Sequence, residues 1–186
     1  MLQSSVRKTS LGAKTKTKSN TLLKIAVFLI QLSMSSFVFV AIHEEFHYLM
    51  ANWLHLSGYV TFNSLLGGTF WFTNISSVSL SQNVLVSLSG GLGTALVTGV
   101  LWSIAKIQNN DQWAAIFCTL TILQFIYGIS EMTAVWIPMA SQWGQLVAAV
   151  AGYTTAALIY GNRILDWFFR PVQEKNTQAD SLPDSN

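Results

Sequence analysis

The stretch LLKIAVFLIQLSMSSFVFVAIHEEFHYLM, residues 22–50, begins as an apolar run and ends in a cluster of two glutamates and two histidines. It is long enough for a helix to cross a bilayer, which takes roughly 20 apolar residues. All three histidines of the chain (His43, His47 and His55) and two of its four glutamates fall between positions 40 and 55. Uncompensated charge at that depth costs at least a few kcal/mol. No Lys or Arg between residues 25 and 105 is available to pair with these acids. A bound divalent cation would supply the missing positive charge.

The rest of the chain fits the same setting. Of its 186 residues, 51% are hydrophobic and only 10% are charged, well under the roughly 25% of soluble domains. Three further apolar segments follow, at about 83–105, 112–137 and 143–165. The expected fold is an all-α polytopic membrane protein with about four transmembrane helices. Residues 1–21 read as a disordered basic tail, 22–168 as the membrane-embedded domain and 169–186 as a disordered polar tail. The basic tail also has the composition of an organelle transit peptide.

Six of the ten basic residues precede position 25, and the others are Lys106, Arg163, Arg170 and Lys175. Four spans with both termini cytoplasmic then satisfy the positive-inside rule at every loop. Which membrane holds the protein is not encoded here, nor is the oligomeric state. No nucleic-acid partner is expected; membrane lipid is. Between the first two spans, YVTFNS and TFWFTN flank LLGG, which predicts a short β-hairpin turning at residues 65–68. A hairpin at that level must satisfy its edges by packing on the bundle mouth or facing a wet cavity. Asn74 opens a formal glycosylation sequon, and the single Cys118 excludes an intrachain disulfide.

His43, Glu44 and His47 spell H-E-x-x-H. Residues i and i+4 of a helix lie about 40° apart around the axis and about 6 Å apart along it. Both imidazoles can therefore ligate one ion, one Zn²⁺ per chain. Glu44 stands about 100° from His43, able to reach water beside the ion without ligating it, while Glu45 faces elsewhere. This is the set that a zinc hydrolase needs: two nitrogen ligands, a general base and an open position.

A third ligand is required. Between residues 46 and 165 the acids are Asp111 and Glu131. Asp111 falls in the inner loop. Glu131 falls about seven residues before the outer end of the third span, at the depth of the two histidines, and is the expected ligand. Tyr127 and Gln124 share its helix face. Tyr127 is the candidate to orient the ligand or stabilise an oxyanion, although interhelical hydrogen bonding is the commoner role of such residues. His55 does not fit the longer metzincin spacing and reads as interfacial. Cys118 reads as an apolar filler. The glycines of SLSGGLGTAL, 87–96, read as close helix packing, with an opened backbone beside the metal as the alternative.

The first span with AIHEEFHYLMANWLHLSG, the LLGG hairpin and SGGLGTAL at the second span resemble the site-2 protease class of intramembrane zinc metalloproteases, over roughly residues 24–137. Members carry H-E-x-x-H in a transmembrane helix. The G-P-x-x-N of a following helix aligns here with Gly90-Gly91-Leu92-Gly93-Thr94. The Asp of their L-D-G motif aligns with Glu131, in ISEMTA. The resemblance implies a membrane-embedded zinc metalloendopeptidase, which cleaves transmembrane or membrane-proximal peptide bonds of a protein or peptide substrate. The alternative is a non-catalytic metal-binding integral membrane protein: a sensor, a partner subunit or an inactive protease homologue. A scaffold or small transporter with a coincidental motif predicts no stoichiometric metal. Histidine-box oxygenases need more histidines, and carboxylate di-iron sites need two E-x-x-H motifs.

Overall fold

A computed structural model describes the backbone of residues 6–64 and 67–169 and the side chains of residues 21–62 and 67–169. Its elements run in order α1 (Val6–Trp53), β1 (Gly58–Ser64), β2 (Gly67–Phe72), a single 3-10 turn (Ile75–Ser77), α2 (Leu80–Ile107), α3 (Asp111–Ala134) and α4 (Ala140–Phe169). The fold is helical, with one two-stranded antiparallel hairpin between the first and second helices. Among the described residues, Thr21–Trp53, Leu80–Ile107 and Asp111–Ala134 are long and apolar enough to cross a membrane. The fourth helix has 30 residues, but Gln145, Gly152, Thr154, Thr155 and Asn162 make it less apolar than the expected fourth span. Helical backbone in α1 reaches back to Val6, inside the stretch assigned from sequence to a tail. The polar tail beyond residue 169 lies outside the described residues.

Packing is inverted relative to a soluble bundle. The interior holds small and hydroxylated residues, such as Ser35, Thr94, Thr98 and Thr119, whereas Leu22, Ile30, Leu96 and Leu158 are exposed on the outside. Membrane helices associate in this way, because lipid already solvates large apolar side chains and small residues let backbones approach. Gly91 and Gly128 face each other across α2 and α3; a Cβ on Gly91 would lie 2.6 Å from the carbonyl oxygen of Gln124. This crossing brings the second half of α3 against the start of α2. Gly152 makes the matching approach to α3, 2.8 Å from the carbonyl of Thr119.

The two ends of the bundle differ chemically. Trp53, Trp71, Trp136 and Trp143 mark the end that carries the hairpin, and Trp102, Trp113 and Trp167 mark the other. Aromatic belts of this kind sit at membrane–water interfaces. Lys24, Lys106 and Arg163 all lie at the second end, where Lys24 Nζ donates to the Trp167 carbonyl at 2.8 Å and Arg163 pairs with Asp111 at 3.0 Å.

Helix ends are closed locally. Leu56 N–H reaches the Ala51 carbonyl and His55 N–H reaches that of Asn52, with His55 at φ 59°. That is a Schellman close with a left-handed residue just past the helix. Asn109, at φ 53°, does the same for α2. Ser79 and Gln82 form a reciprocal capping box at the start of α2.

Hairpin pairing runs from Gly58 opposite Phe72 to Ser64 opposite Gly67, with an irregularity after Phe62. The expected turn at 65–68 is shorter than LLGG: Gly67 and Gly68 belong to β2, and Leu65 and Leu66 lie outside the described residues. Glu44 occupies the space of a side chain at Gly68, so this strand position accepts only glycine; a Cβ there would stand 2.9 Å from Glu44 Oε1.

Candidate metal centre

Two helices place the side chains of the centre. His43 and His47 are one helical turn apart on α1, and both are buried. The α2–α3 crossing carries Glu131 to them from the last turn of α3. Nε2 of His43 lies 3.0 Å from Nε2 of His47 and 3.0 Å from Oε2 of Glu131. His47 Nε2 lies 3.6 Å from the same oxygen.

The other ring nitrogens decide what these atoms present. His47 Nδ1 is 2.6 Å from the carbonyl oxygen of Val86, and His43 Nδ1 is 2.8 Å from Gln124 Oε1. Both partners accept, so each Nδ1 carries hydrogen and donates it. Each Nε2 is then left with a bare lone pair in the neutral ring. Three electron-pair donors thus converge: two imidazole nitrogens and a carboxylate oxygen that has no hydrogen-bond partner. Such a group repels itself unless a metal cation or a shared proton lies among its members. Ligands held about 2.0–2.1 Å from a tetrahedral ion lie about 3.3 Å from one another, which the three separations bracket. His43, His47 and Glu131 therefore form a buried group that can hold a metal ion.

Gly90 of α2 makes the room. A Cβ at this position would lie 2.7 Å from His43 Nε2 and closer still to His47 Nε2. Bare backbone is the only surface that fits beside both nitrogens. Glu44 is 5% exposed, and its Oε2 has no hydrogen-bond partner. It is not one of the three converging ligands. Tyr127 stacks loosely on His43, with ring centroids 5.5 Å apart.

A cavity of about 590 Å³ opens beside Glu44, His47 and Glu131. Five consecutive residues of β2, Gly68 through Phe72, line it. Successive side chains of a strand point to opposite faces. A cavity touched by every residue in a row therefore lies along the strand's edge.

The remaining sequence candidates fall elsewhere. Asp111 is twenty residues before Glu131 on the same helix, about 30 Å away along its axis, and is paired with Arg163. His55 is an exposed helix-closing residue, and Cys118 is fully buried in an apolar cluster. Val86, Gln124 and Gly68 take positions at the centre that no local motif announces, whereas Gly90 belongs to the glycine run whose alternative reading lay beside the metal, in a helix that is not opened there. For Gln124 the only signal was its spacing of seven from Glu131.

The orienting bond from Gln124 is testable. Gln124→Leu leaves His43 Nδ1–H without an acceptor and frees the ring, so metal affinity should fall by about 10–100-fold. Gln124→Glu, which keeps the acceptor, should restore it. Competition with a graded series of chelators measures both; equal affinity in all three proteins would rule the orienting role out.

No family model, curated protein or solved structure matches the chain. What fold and site define directly is a helical protein with, among the described residues, three helices long and apolar enough to cross a membrane and a buried His–His–Glu group able to hold a metal.

Proposed function

We infer that this protein is a membrane-embedded zinc endopeptidase of site-2 protease type. One observation carries the reading: a buried Glu44 carboxylate with one unpartnered oxygen lines, together with the ligand candidates His47 and Glu131, a cavity bordered by a strand edge. Two imidazoles and a carboxylate favour zinc among the available divalent metals. When bound, zinc supplies Lewis acidity and brings the pKa of water down to about 7.

The chain's own residues divide the remaining work. Glu44 takes a proton from the attacking water on its carboxylate and returns it to the leaving amine. The water oxygen joins the carbonyl carbon, the C–N bond breaks, and the proton ends on the new amino group. β2 offers the substrate main-chain hydrogen bonds along its edge, which hold a peptide extended. That matters because a transmembrane helix hides its carbonyls in its own hydrogen bonds and must unwind before it is attacked. Phe70, whose ring centroid is 6.4 Å from that of His47, borders the metal group on the strand side.

Gly68 packs directly on Glu44, and this favours a second reading, a metal-holding protein whose base is covered. Measurement separates the two. Detergent-purified wild type should carry one zinc per chain by plasma mass spectrometry. Glu131→Ala should lose it, and Asp111→Ala should keep it. In vesicles, the zinc-loaded wild type should cut a single-spanning peptide. Metal without cleavage selects the second reading, and a wild type that holds no metal after gentle purification ends both.

A further inference from the structure

A second cavity, of about 240 Å³, meets the first one at Glu44. Glu44, Gly68 and Tyr127 belong to the walls of both. The larger cavity adds His47 and Glu131, and the smaller one adds His43 and Gln124. Glu44 therefore stands on the ridge between them. Gly67 and Gly68 bring backbone and no side chain to this edge. From Glu44 the smaller cavity descends toward the middle of the bundle. Ser36, eight residues earlier on α1 and about 12 Å away along its axis, marks the far end together with Leu120 of α3. Below Glu44 and His43 the wall carries no ionisable side chain; Val40, Leu120, Leu123 and Ala149 make it apolar. Two of its polar atoms are already engaged. Ser36 Oγ donates to the Leu32 carbonyl at 2.9 Å, and Gln124 Oε1 accepts from His43 at 2.8 Å.

We propose that this smaller cavity is the specificity pocket for one substrate residue, the one whose nitrogen is released, and that it selects a long apolar side chain such as Leu, Met or Phe. The proposal rests on the proteolytic reading and says what that site chooses within a peptide. Position assigns the residue. Glu44 returns a proton to the leaving nitrogen, so that nitrogen comes within hydrogen-bond reach of its carboxylate. The side chain of the same residue begins two bonds away, on the ridge where the smaller cavity opens. The larger cavity, with Glu131 and the β2 edge in its wall, takes the carbonyl side and the main chain. Chemistry assigns the class. A charged side chain sent into the pocket loses its water and meets no counter-charge. A short side chain leaves the lower part of the cavity unfilled and forgoes the burial of apolar area. A long apolar one reaches past Val40 to Leu120 and Leu123 and satisfies both conditions.

The test uses the full zinc-loaded chain in phosphatidylcholine vesicles with a mixture of single-spanning peptides randomised around the cleavable position. Mass spectrometry reads the new N-terminal residue of each product, which is the residue assigned to the pocket. In a competing mixture its frequency follows relative kcat/KM. Leu, Met and Phe are expected over Gly and Ala by at least about 10-fold, since one methylene in an apolar pocket is worth about 10–200-fold; Glu and Lys should be absent. Ala149→Phe fills the pocket from α4 and should turn the preference to Gly and Ala. Leu123→Ala widens it and should move the preference from Leu to Phe. Val147→Phe, 55% exposed and about 200° around α4 from Ala149, should read as wild type. Zinc per chain should be unchanged in all three. A second measurement needs no turnover. A metal-binding hydroxamate with an isobutyl group beside its chelating end should bind the wild type at least about 10-fold tighter than its unsubstituted parent, and Ala149→Phe should erase the difference. Cleavage with no preference at the new N-terminus, with preference set by the residue on the carbonyl side, or with a preference that neither pocket variant moves would overturn the pocket and leave the protease reading standing. A hydroxamate difference that Ala149→Phe erases, in a chain that cuts no peptide, would keep the pocket and end the protease reading. A chain that holds no metal would end both.

Discussion

Glu44→Gln should stop peptide hydrolysis while leaving the metal in place. The side chain is buried and ends in a carboxylate oxygen without a partner. Glutamine keeps its size and its contact with Gly68 but cannot hold the transferred proton. It lies outside the three ligand atoms, so metal content should stay at the wild-type value. Loss of a positioned general base costs about 10²–10⁴ in rate. Product formation from a reconstituted single-spanning peptide, read beside zinc per chain, gives both quantities at once. Cleavage at the wild-type rate would remove Glu44 from the mechanism. Loss of metal together with activity would make it a structural part of the centre instead.

The second large effect is expected from one methyl group. Gly90→Ala places a Cβ within 2.7 Å of His43 Nε2 and closer to His47 Nε2. A flexible side chain would swing aside, but these rings are pinned through Nδ1 to Gln124 and to the Val86 carbonyl. Moving either ring breaks its orienting bond, and leaving both in place fills the space between them. Metal affinity should fall by at least the 10–100-fold that lost orienting contacts cost, in a protein whose helices remain intact. Gly161→Ala is the matched control, because nothing lies within 4 Å of its added Cβ; alanine is favoured over glycine in a helix by about 1 kcal/mol. Chelator competition and circular dichroism on both variants decide the point. Unchanged affinity in Gly90→Ala would mean that the rings are not held as described.

What the sequence by itself determined is what lies within one helix or follows from scarcity. The His43–His47 pairing is local, since helix geometry alone puts residues four apart on one face. Glu131 was legible because the chain has so few acids in its apolar region that depth could choose between two. Helices and hairpin followed from long apolar runs and from β-branched segments around glycine. The tertiary structure decided everything that joins segments far apart in the chain. Val86 and Gln124 orient the histidines across 39 and 81 residues of sequence. Gly68 belongs to the strand, and Glu44 fills the space a side chain there would need. Of the glycines in SLSGGLGTAL, Gly91 serves a helix crossing and Gly90 bares backbone to two imidazoles. The same residue type in the same motif gives both outcomes, because the difference lies in what stands opposite, and only packing settles that.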